Sequence, residues 1–140
     1  MSAKRATYLD ASAIVKLAVA ERESTALRKY LSRRRPLVSS ALSRTEVLRA
    51  LLPIGDEAVK RAHEVLTRID LARVNDRVLL AAGGLSPVEM RSLDAIHLAT
   101  ALDLSLSFVT ADERLIRKIR QSRHPVGDRL VALSEVPDLS

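Results

Sequence analysis

The sequence predicts an α/β protein, a three-layer α/β/α sandwich around a parallel sheet of four to five strands. Short apolar runs of strand type alternate with longer stretches in which apolar residues recur at helical spacing. Helical stretches of roughly 10–30 residues separate the strands, which suits right-handed crossovers between parallel strands. The chain has 140 residues and is 47% hydrophobic, so we expect residues 1–140 to form one domain with its own core.

Five runs are predicted to be strands, because each is short and rich in apolar residues, and all but the last precede a helical pattern. They are residues 7–10, 37–39, 71–74, 106–110 and 130–133. Seven segments are predicted to be helices: residues 13–21, 24–34, 41–52, 56–69, 76–85, 92–104 and 112–121. Leu27 and Leu31 share a face of the second helix, and Pro36, Pro53 and Gly83 follow or end helical segments.

The composition excludes several classes of protein. There is no cysteine, so a disulfide framework and a thiolate metal site are impossible, and a reducing cytoplasmic location is expected. Asp10 and Lys16 interrupt the apolar run near the start, which argues against a signal peptide. No stretch has the length and apolarity of a membrane span, so we expect no membrane association.

The chain is basic, with 23 Lys and Arg, 18 of them Arg, against 17 Asp and Glu. This balance fits either an ordinary solvated surface or a polyanionic partner such as nucleic acid. The aromatic residues are only Tyr8, Tyr30 and Phe108, too few for a base-stacking platform. A nucleic acid would therefore be held mainly by its backbone.

Four acids are candidates for a functional site. Asp10 and Asp112 follow predicted strands, whereas Glu46 and Asp94 lie near the starts of helices. Each also has a local structural explanation: Ser12 could cap the helix after Asp10, Glu46 could form a capping box with Ser43, Asp94 would be a favourable charge in a first turn, and Asp112 could cap a helix itself. The carboxyl ends of parallel strands share one edge of the sheet, where ligand sites of such folds lie, so we expect the four to converge there.

Converging carboxylates repel one another unless some are protonated or a cation lies between them. Ligation by carboxylates without thiolates favours a hard ion, Mg²⁺ or Mn²⁺. Such an ion can activate water and stabilise the charge that develops in phosphodiester hydrolysis. The four acids therefore indicate metal-dependent hydrolysis of a phosphodiester.

The chain also resembles a known family in four segments taken in order. These are YLDASAIVKL at 8–17, VSSALSRTEVLRAL at 38–51, LDAIHLATA at 93–101 and FVTADERL at 108–115. They are similar to the motifs of the PIN-domain ribonucleases, specifically the VapC-type toxins of prokaryotic toxin–antitoxin pairs. The resemblance implies a PIN-like fold, usually homodimeric, and Mg²⁺- or Mn²⁺-dependent endoribonuclease activity by metal-activated water. It also implies a cognate VapB-type antitoxin whose tail occupies the active-site groove.

Carried onto this sequence, the family pattern implies that Asp10, Glu46, Asp94 and Asp112 are the catalytic, metal-binding acids. Ser12 and Thr110 match the polar neighbours that orient ligands or water. Some PIN nucleases carry a further acid just after the last motif aspartate, but here Leu115 and Ile116 follow Glu113 and Arg114. A second metal ion is therefore expected only with substrate, or not at all.

Other polar residues are weighed against simpler explanations. His97 lies three residues after Asp94, but a histidine packed in a helix and bonded to a nearby acid is more common than a catalytic one. His63 and His124 are interpreted as surface residues. Arg114, just after Asp112, is a candidate for RNA contact, and Arg33–Arg35 is either a solvated helix end or a contact to RNA or antitoxin.

Two alternative functions stay open. One is a catalytically silent PIN-like module that binds RNA or a protein. The other is a phosphoryl-transfer protein of the receiver or haloacid-dehalogenase type, which also places an aspartate at a strand end. Ser12 stands where a haloacid-dehalogenase-like enzyme would carry its second aspartate.

Overall fold

The structure is a computed structural model that describes residues 6–21 and 24–136. Within these ranges the strands are β1 (Thr7–Leu9), β2 (Leu37–Ser40), β3 (Asp70–Ala72), β4 (Ser107–Thr110) and β5 (Leu130–Ala132). The helices are α1 (Ala11–Ala18), α2 (Ser24–Leu31), α3 (Leu42–Leu51), α4 (Asp56–Leu66), α5 (Asp76–Gly83), α6 (Ser92–Leu104) and α7 (Glu113–Gln121). None of these helices has the length and apolar character needed to cross a membrane.

The five strands form one parallel sheet in the order β3-β2-β1-β4-β5, which confirms the predicted parallel sheet and sets its size at five strands. Tyr8 in the central strand is in register with Val38 on one side and Phe108 on the other. β2 and β3 lie on one side of β1, and β4 and β5 lie on the other. The chain connections therefore run in opposite directions from the boundary between β1 and β4. A crevice is expected beyond the carboxyl ends of strands at such a point.

Two hydrophobic cores lie on the two faces of the sheet, because successive side chains of a strand point in opposite directions. Leu9 and Val109 pack into the core formed with α1 to α4. Tyr8 and Phe108 pack into the core formed with α5 to α7, and their rings stack with centroids 5.6 Å apart. The predicted α/β/α sandwich is therefore confirmed.

All predicted strands and helices are present, but several ends differ from the prediction. Helix α1 begins at Ala11 rather than Ala13, because the Asp10 side chain accepts a hydrogen bond from the Ala13 backbone and caps the helix there. It ends at Ala18, since Val19 is already extended. Two 3₁₀ turns not predicted from the sequence, Pro125–Arg129 and Leu133–Glu135, flank β5.

The interpretation of His124 as a surface residue is wrong, whereas His63 on α4 is exposed as expected. His124 is buried because its ring turns inward to accept a hydrogen bond from the Val126 backbone N–H through Nδ1, 3.1 Å away. Its Nε2 has no hydrogen-bond partner in the described residues. Burial accordingly lowers the pKa of His124.

Candidate active site

The four predicted acids line a single cavity of about 340 Å³ at the carboxyl edge of the sheet. Asp10, Glu46, Asp94 and Asp112 share this cavity with Ser12, Arg91 and His97, among others. The convergence that the topology predicted is therefore present, although the four residues come from four separate segments of the chain.

The connections of the sheet explain how each acid reaches this edge. Asp10 and Asp112 immediately precede α1 and α7, the helices that follow the neighbouring strands β1 and β4. Glu46 lies on α3, which follows β2. Helix α6 leads into the amino end of β4, so it starts at the opposite edge, the carboxyl edge, and Asp94 in its first turn lies there.

Asp10 is the most buried of the four acids, with 4% of its surface exposed. Its Oδ1 accepts hydrogen bonds from Ser12 Oγ at 2.6 Å and from the Ala13 backbone at 3.0 Å, and its Oδ2 accepts one from Thr110 Oγ1 at 2.5 Å. Burial raises the pKa of Asp10 despite the opposing effects of His97, Ser12 and Thr110. The site thus holds a carboxylate whose negative charge is costly without a cation.

Ser12 and Thr110 connect the ends of β1 and β4 around Asp10. Each donates its hydroxyl proton to Asp10, and each accepts a backbone N–H from the turn between β4 and α7. Ala111 donates to Ser12 Oγ at 2.9 Å, and Asp112 donates to Thr110 Oγ1 at 3.1 Å. These hydroxyls fix the orientation of the Asp10 carboxylate, the kind of role that the family resemblance implies for them.

Asp94 and Asp112 are joined by one arginine side chain. Arg91 Nε lies 3.4 Å from Asp94 Oδ2, and Arg91 Nη2 lies 3.4 Å from Asp112 Oδ2. Burial raises the pKa of Asp94, the Arg91 charge opposes that rise, and the Asp112 charge adds to it. The two carboxylates are therefore close enough to repel each other, and the positively charged Arg91 guanidinium contacts both of them.

Glu46 is held by a buried histidine. Its Oε1 lies 2.7 Å from His97 Nε2, and His97 Nδ1 lies 2.6 Å from the Tyr8 hydroxyl. His97 is 2% exposed, so this chain of contacts passes from the core beneath the sheet to the cavity. The interpretation of His97 as a packed histidine bonded to an acid fits the structure, even though the ring also borders the cavity.

The expected orientation of Glu46 is wrong in its detail. Helical spacing predicts that Glu46 faces the sheet in one column with Leu42 and Ala50, but Ala50 is exposed. The buried face of α3 is instead formed by Ser43, Val47 and Leu51. Glu46 lies beside this face and is directed to the cavity by its contact with His97.

The structural explanations proposed for the acids hold for two of the four. Asp112 caps α7 and Asp94 lies in the first turn of α6, as expected, whereas α1 is capped by Asp10 itself and not by Ser12. The capping box expected between Ser43 and Glu46 does not form, because Ser43 Oγ instead contacts Ser39 Oγ at 2.7 Å and α3 has no side-chain cap. Asp10 and Asp112 each cap a helix and also line the cavity. The structural and functional interpretations of these residues therefore do not exclude each other.

The chemistry of the donor set suits a divalent cation, since four carboxylates with neighbouring hydroxyls offer only hard oxygen ligands. As the side chains stand, however, the described residues contain no group of three or more His, Asp or Glu positioned to hold a metal ion together. Two of the carboxylates face Arg91 and a third faces His97. Binding of an ion by Asp94 and Asp112 therefore requires the Arg91 side chain to move.

Arg91 is the functional candidate that the sequence argument missed. Arg114, proposed there for RNA contact, is exposed and is not among the residues that line the cavity, whereas Arg91 is. The sequence did hold a signal for Arg91. It stands three residues before Asp94 at the start of a helix, a spacing at which two side chains meet.

Comparison with known proteins identifies the family. Residues 7–121 match the model of the PIN domain family. Ribonuclease VapC46 of Mycobacterium tuberculosis is 58% identical to the chain over 132 residues, which cover 92% of this chain and 98% of that protein. The chain belongs to the VapC ribonucleases of the PIN domain family. The resemblance seen in the sequence motifs is thus confirmed.

Other VapC proteins and solved structures agree with this assignment. Ribonuclease VapC47 of M. tuberculosis is 34% identical over 122 residues, covering 81% of this PIN domain chain and 90% of that protein. A toxin–antitoxin complex from Klebsiella pneumoniae has a chain that matches with a TM-score of 0.71 at 18% identity, covering 91% of this chain and 97% of that one. VapC20 of M. tuberculosis, a sarcin–ricin loop cleaving toxin, matches with a TM-score of 0.65 at 15% identity, covering 78% and 92%. These structures share the fold.

Proposed function

We propose that this VapC protein is a Mg²⁺- or Mn²⁺-dependent endoribonuclease, the toxin of a toxin–antitoxin pair, and that it cuts RNA in the cavity lined by the four acids. Membership of the VapC ribonucleases supports RNA cleavage as the reaction. The observation that carries the choice of site is the convergence of Asp10, Glu46, Asp94 and Asp112 on one cavity. Helix capping explains Asp10 and Asp112 one at a time, but no single structural role accounts for four carboxylates lining one cavity.

The four acids are the residues that would hold the divalent ion. When bound, the ion supplies an activated water and stabilises the negative charge that develops on the phosphate. Asp10 brings a carboxylate already fixed by Ser12 and Thr110. Binding a cation relieves the electrostatic cost of burying Asp10 and Asp94, whose pKa values are raised by their surroundings.

The fixed geometry around the acids suits hydrolysis, because preorganised charges need not rearrange as the transition state forms. The Ser12 and Thr110 hydroxyls hold both oxygens of Asp10, and His97 holds Glu46. Attack by water does not use the ribose 2′-hydroxyl. The products are therefore expected to carry 5′-phosphate and 3′-hydroxyl ends.

A cognate VapB-type antitoxin is the proposed protein partner, with its tail in the active-site cavity. The similarity to a chain of a toxin–antitoxin complex supports a partner of this kind. A homodimer in the cytoplasm is the accompanying prediction, which rests on the family resemblance and on the lack of cysteine.

The proposed site predicts that Asp10→Asn and Asp94→Asn each reduce RNA cleavage by about 10²- to 10³-fold or more while the protein stays folded, because each removes a negative ligand from the cation site. Asp103→Asn is the matched control, since Asp103 is an exposed aspartate on the same helix as Asp94. Cleavage of labelled RNA is measured with Mg²⁺ or Mn²⁺, with circular dichroism as the test of folding. Unchanged cleavage in either active-site variant refutes the assignment.

Removal of the metal separates this proposal from the alternatives. Chelation by excess EDTA should abolish cleavage, and added Mn²⁺ should restore it. Absence of cleavage under all conditions would favour the silent binding module. The phosphotransfer alternative fits poorly with Asp10, because both of its carboxylate oxygens accept hydrogen bonds and the residue is buried.

A further inference from the structure

Arg91 is the one Lys or Arg among the described residues that line the cavity. Its guanidinium contacts both acids through different nitrogens. Nε lies 3.4 Å from Asp94 Oδ2, and Nη2 lies 3.4 Å from Asp112 Oδ2. Asp94 lies in the first turn of α6, and Asp112 caps α7. One side chain therefore bridges two of the four acids that come from separate helices.

The contacts of Arg91 with Asp94 and Asp112 can be broken at little cost. Both contacts are long for a charged hydrogen bond, and the Arg91 side chain is 54% exposed. The Arg91 backbone is fixed independently, because its carbonyl accepts a hydrogen bond from the Ala95 N–H at 2.9 Å at the start of α6. The guanidinium can thus leave the two acids without disturbing the helix.

A divalent ion shared by Asp94 and Asp112 cannot coexist with this bridge. Carboxylate oxygens bind Mg²⁺ at about 2.0–2.1 Å, so an ion placed between the two carboxylates takes the place now held by the guanidinium. A positive group left beside the ion would also repel it. The two cations therefore compete for the same pair of acids.

We propose that Arg91 is a built-in competitor of the metal: it neutralises Asp94 and Asp112 in the metal-free protein and swings out when the ion binds. This inference rests on the proposed metal site. The displaced guanidinium remains at the rim of the cavity, where its planar donor pairs suit an RNA phosphate. Arg91 thus links metal loading to substrate contact, since the same side chain cannot serve the acids and the phosphate at once.

A purely structural ion pair would behave differently. If Arg91 only tied α6 to α7, its removal would loosen the acids and leave metal affinity equal or weaker. If it competes with the ion, its removal strengthens metal binding and weakens RNA binding. Opposite changes in the two affinities are the signature of the proposal.

The test measures Mn²⁺ binding to the full-length protein without RNA, by titration calorimetry or by the electron paramagnetic resonance signal of free Mn²⁺. Arg91→Gln should bind Mn²⁺ about 5- to 10-fold more tightly, because the ion no longer has to displace a guanidinium from Asp94 and Asp112. Arg91→Lys keeps the charge and should stay close to the wild type. Arg77→Gln is the matched control, since Arg77 is an exposed arginine that pairs with Asp103 outside the cavity.

RNA cleavage at saturating Mn²⁺ supplies the second measurement. Arg91→Gln should raise KM for RNA several-fold, whereas Arg77→Gln should not. Equal or weaker Mn²⁺ binding by a folded Arg91→Gln protein overturns the inference, as does an unchanged KM. If Arg91→Gln fails to fold, Mn²⁺ affinity of Arg91→Lys far from that of the wild type overturns it instead.

Failure of the inference is distinguishable from failure of the proposed function. Asp94→Asn and Asp112→Asn should both lose Mn²⁺ affinity if the acids form the metal site. If they lose it while Arg91→Gln gains none, only the role of Arg91 is wrong. If both aspartate variants bind Mn²⁺ as the wild type does, the metal site itself is wrong.

Discussion

His97 connects Tyr8 in the protein core to Glu46 in the candidate site. His97 Nε2 is hydrogen-bonded to Glu46 Oε1, and His97 Nδ1 is hydrogen-bonded to the Tyr8 hydroxyl. Burial raises the pKa of Tyr8, so the phenol stays protonated and can donate. Tyr8 is itself fixed by stacking on Phe108 in the neighbouring strand. His97 is therefore a positioning residue that orients Glu46.

This role predicts that His97→Gln weakens Mn²⁺ binding by about 10- to 100-fold, the range typical for loss of a residue that orients a metal ligand. Tyr8→Phe should have a smaller effect in the same direction, because it removes only the outer contact. His63→Gln, on the exposed face of α4, is the control. Calorimetric titration with Mn²⁺ is the measurement, and wild-type affinity in both the His97 and Tyr8 variants would contradict the role.

At the scale of elements, two acids serve both a helix and the cavity. Asp112 Oδ1 accepts backbone hydrogen bonds from Arg114 at 3.0 Å and Leu115 at 3.2 Å, while its Oδ2 faces Arg91. The start of α7 and the position of the carboxylate are thus set by one side chain. Asp10 does the same for α1, so the strand-to-helix turns and the site are specified together.

The double role of Asp112 predicts different results for two substitutions. Asp112→Ala should lower the free energy of unfolding by about 1 kcal/mol, the usual cost of a lost helix cap. Asp112→Asn keeps a good cap and should retain most of the stability. Both should lose cleavage, because neither supplies a carboxylate. Chemical denaturation and an RNA cleavage assay measure the two effects separately, and equal stability of the two variants would show that the cap contributes nothing.

The sequence predicts the elements well because their patterns are local. Helix α6 has the predicted bounds of 92–104, since the segment is rich in the helix formers Ala and Leu and its backbone turns left-handed at Ser105, where the helix ends. Asp10 and Asp112 were predictable for the site because they directly follow strands of a parallel sheet. The contacts of Arg91 and the direction of Glu46 were not, because they depend on how α3, α6 and α7 pack, which no local pattern records. His124 was misjudged for the same reason.

The acidic cavity lowers the stability of the folded protein when no metal ion is bound. Burial raises the pKa values of Asp10 and Asp94, so the charged forms of both are less favourable in the fold than in the unfolded chain. Arg91 compensates only in part, because it is more than half exposed and its contacts are long. The protein as a whole therefore gives up stability to keep the acids together.

This trade-off predicts that Asp10→Asn, which is expected to abolish cleavage, makes the metal-free protein more stable. The amide removes a buried charge yet can still accept from Ser12 and donate to Thr110, so the melting temperature should rise by a few degrees, the shift that about 1 kcal/mol produces at this size. Mg²⁺ should raise the melting temperature of the wild type by binding only the folded state, and should raise that of Asp10→Asn much less. Asp103→Asn should show the wild-type response to Mg²⁺. A metal-free Asp10→Asn protein that melts below the wild type would mean that the hydrogen bonds of the carboxylate outweigh the cost of its buried charge.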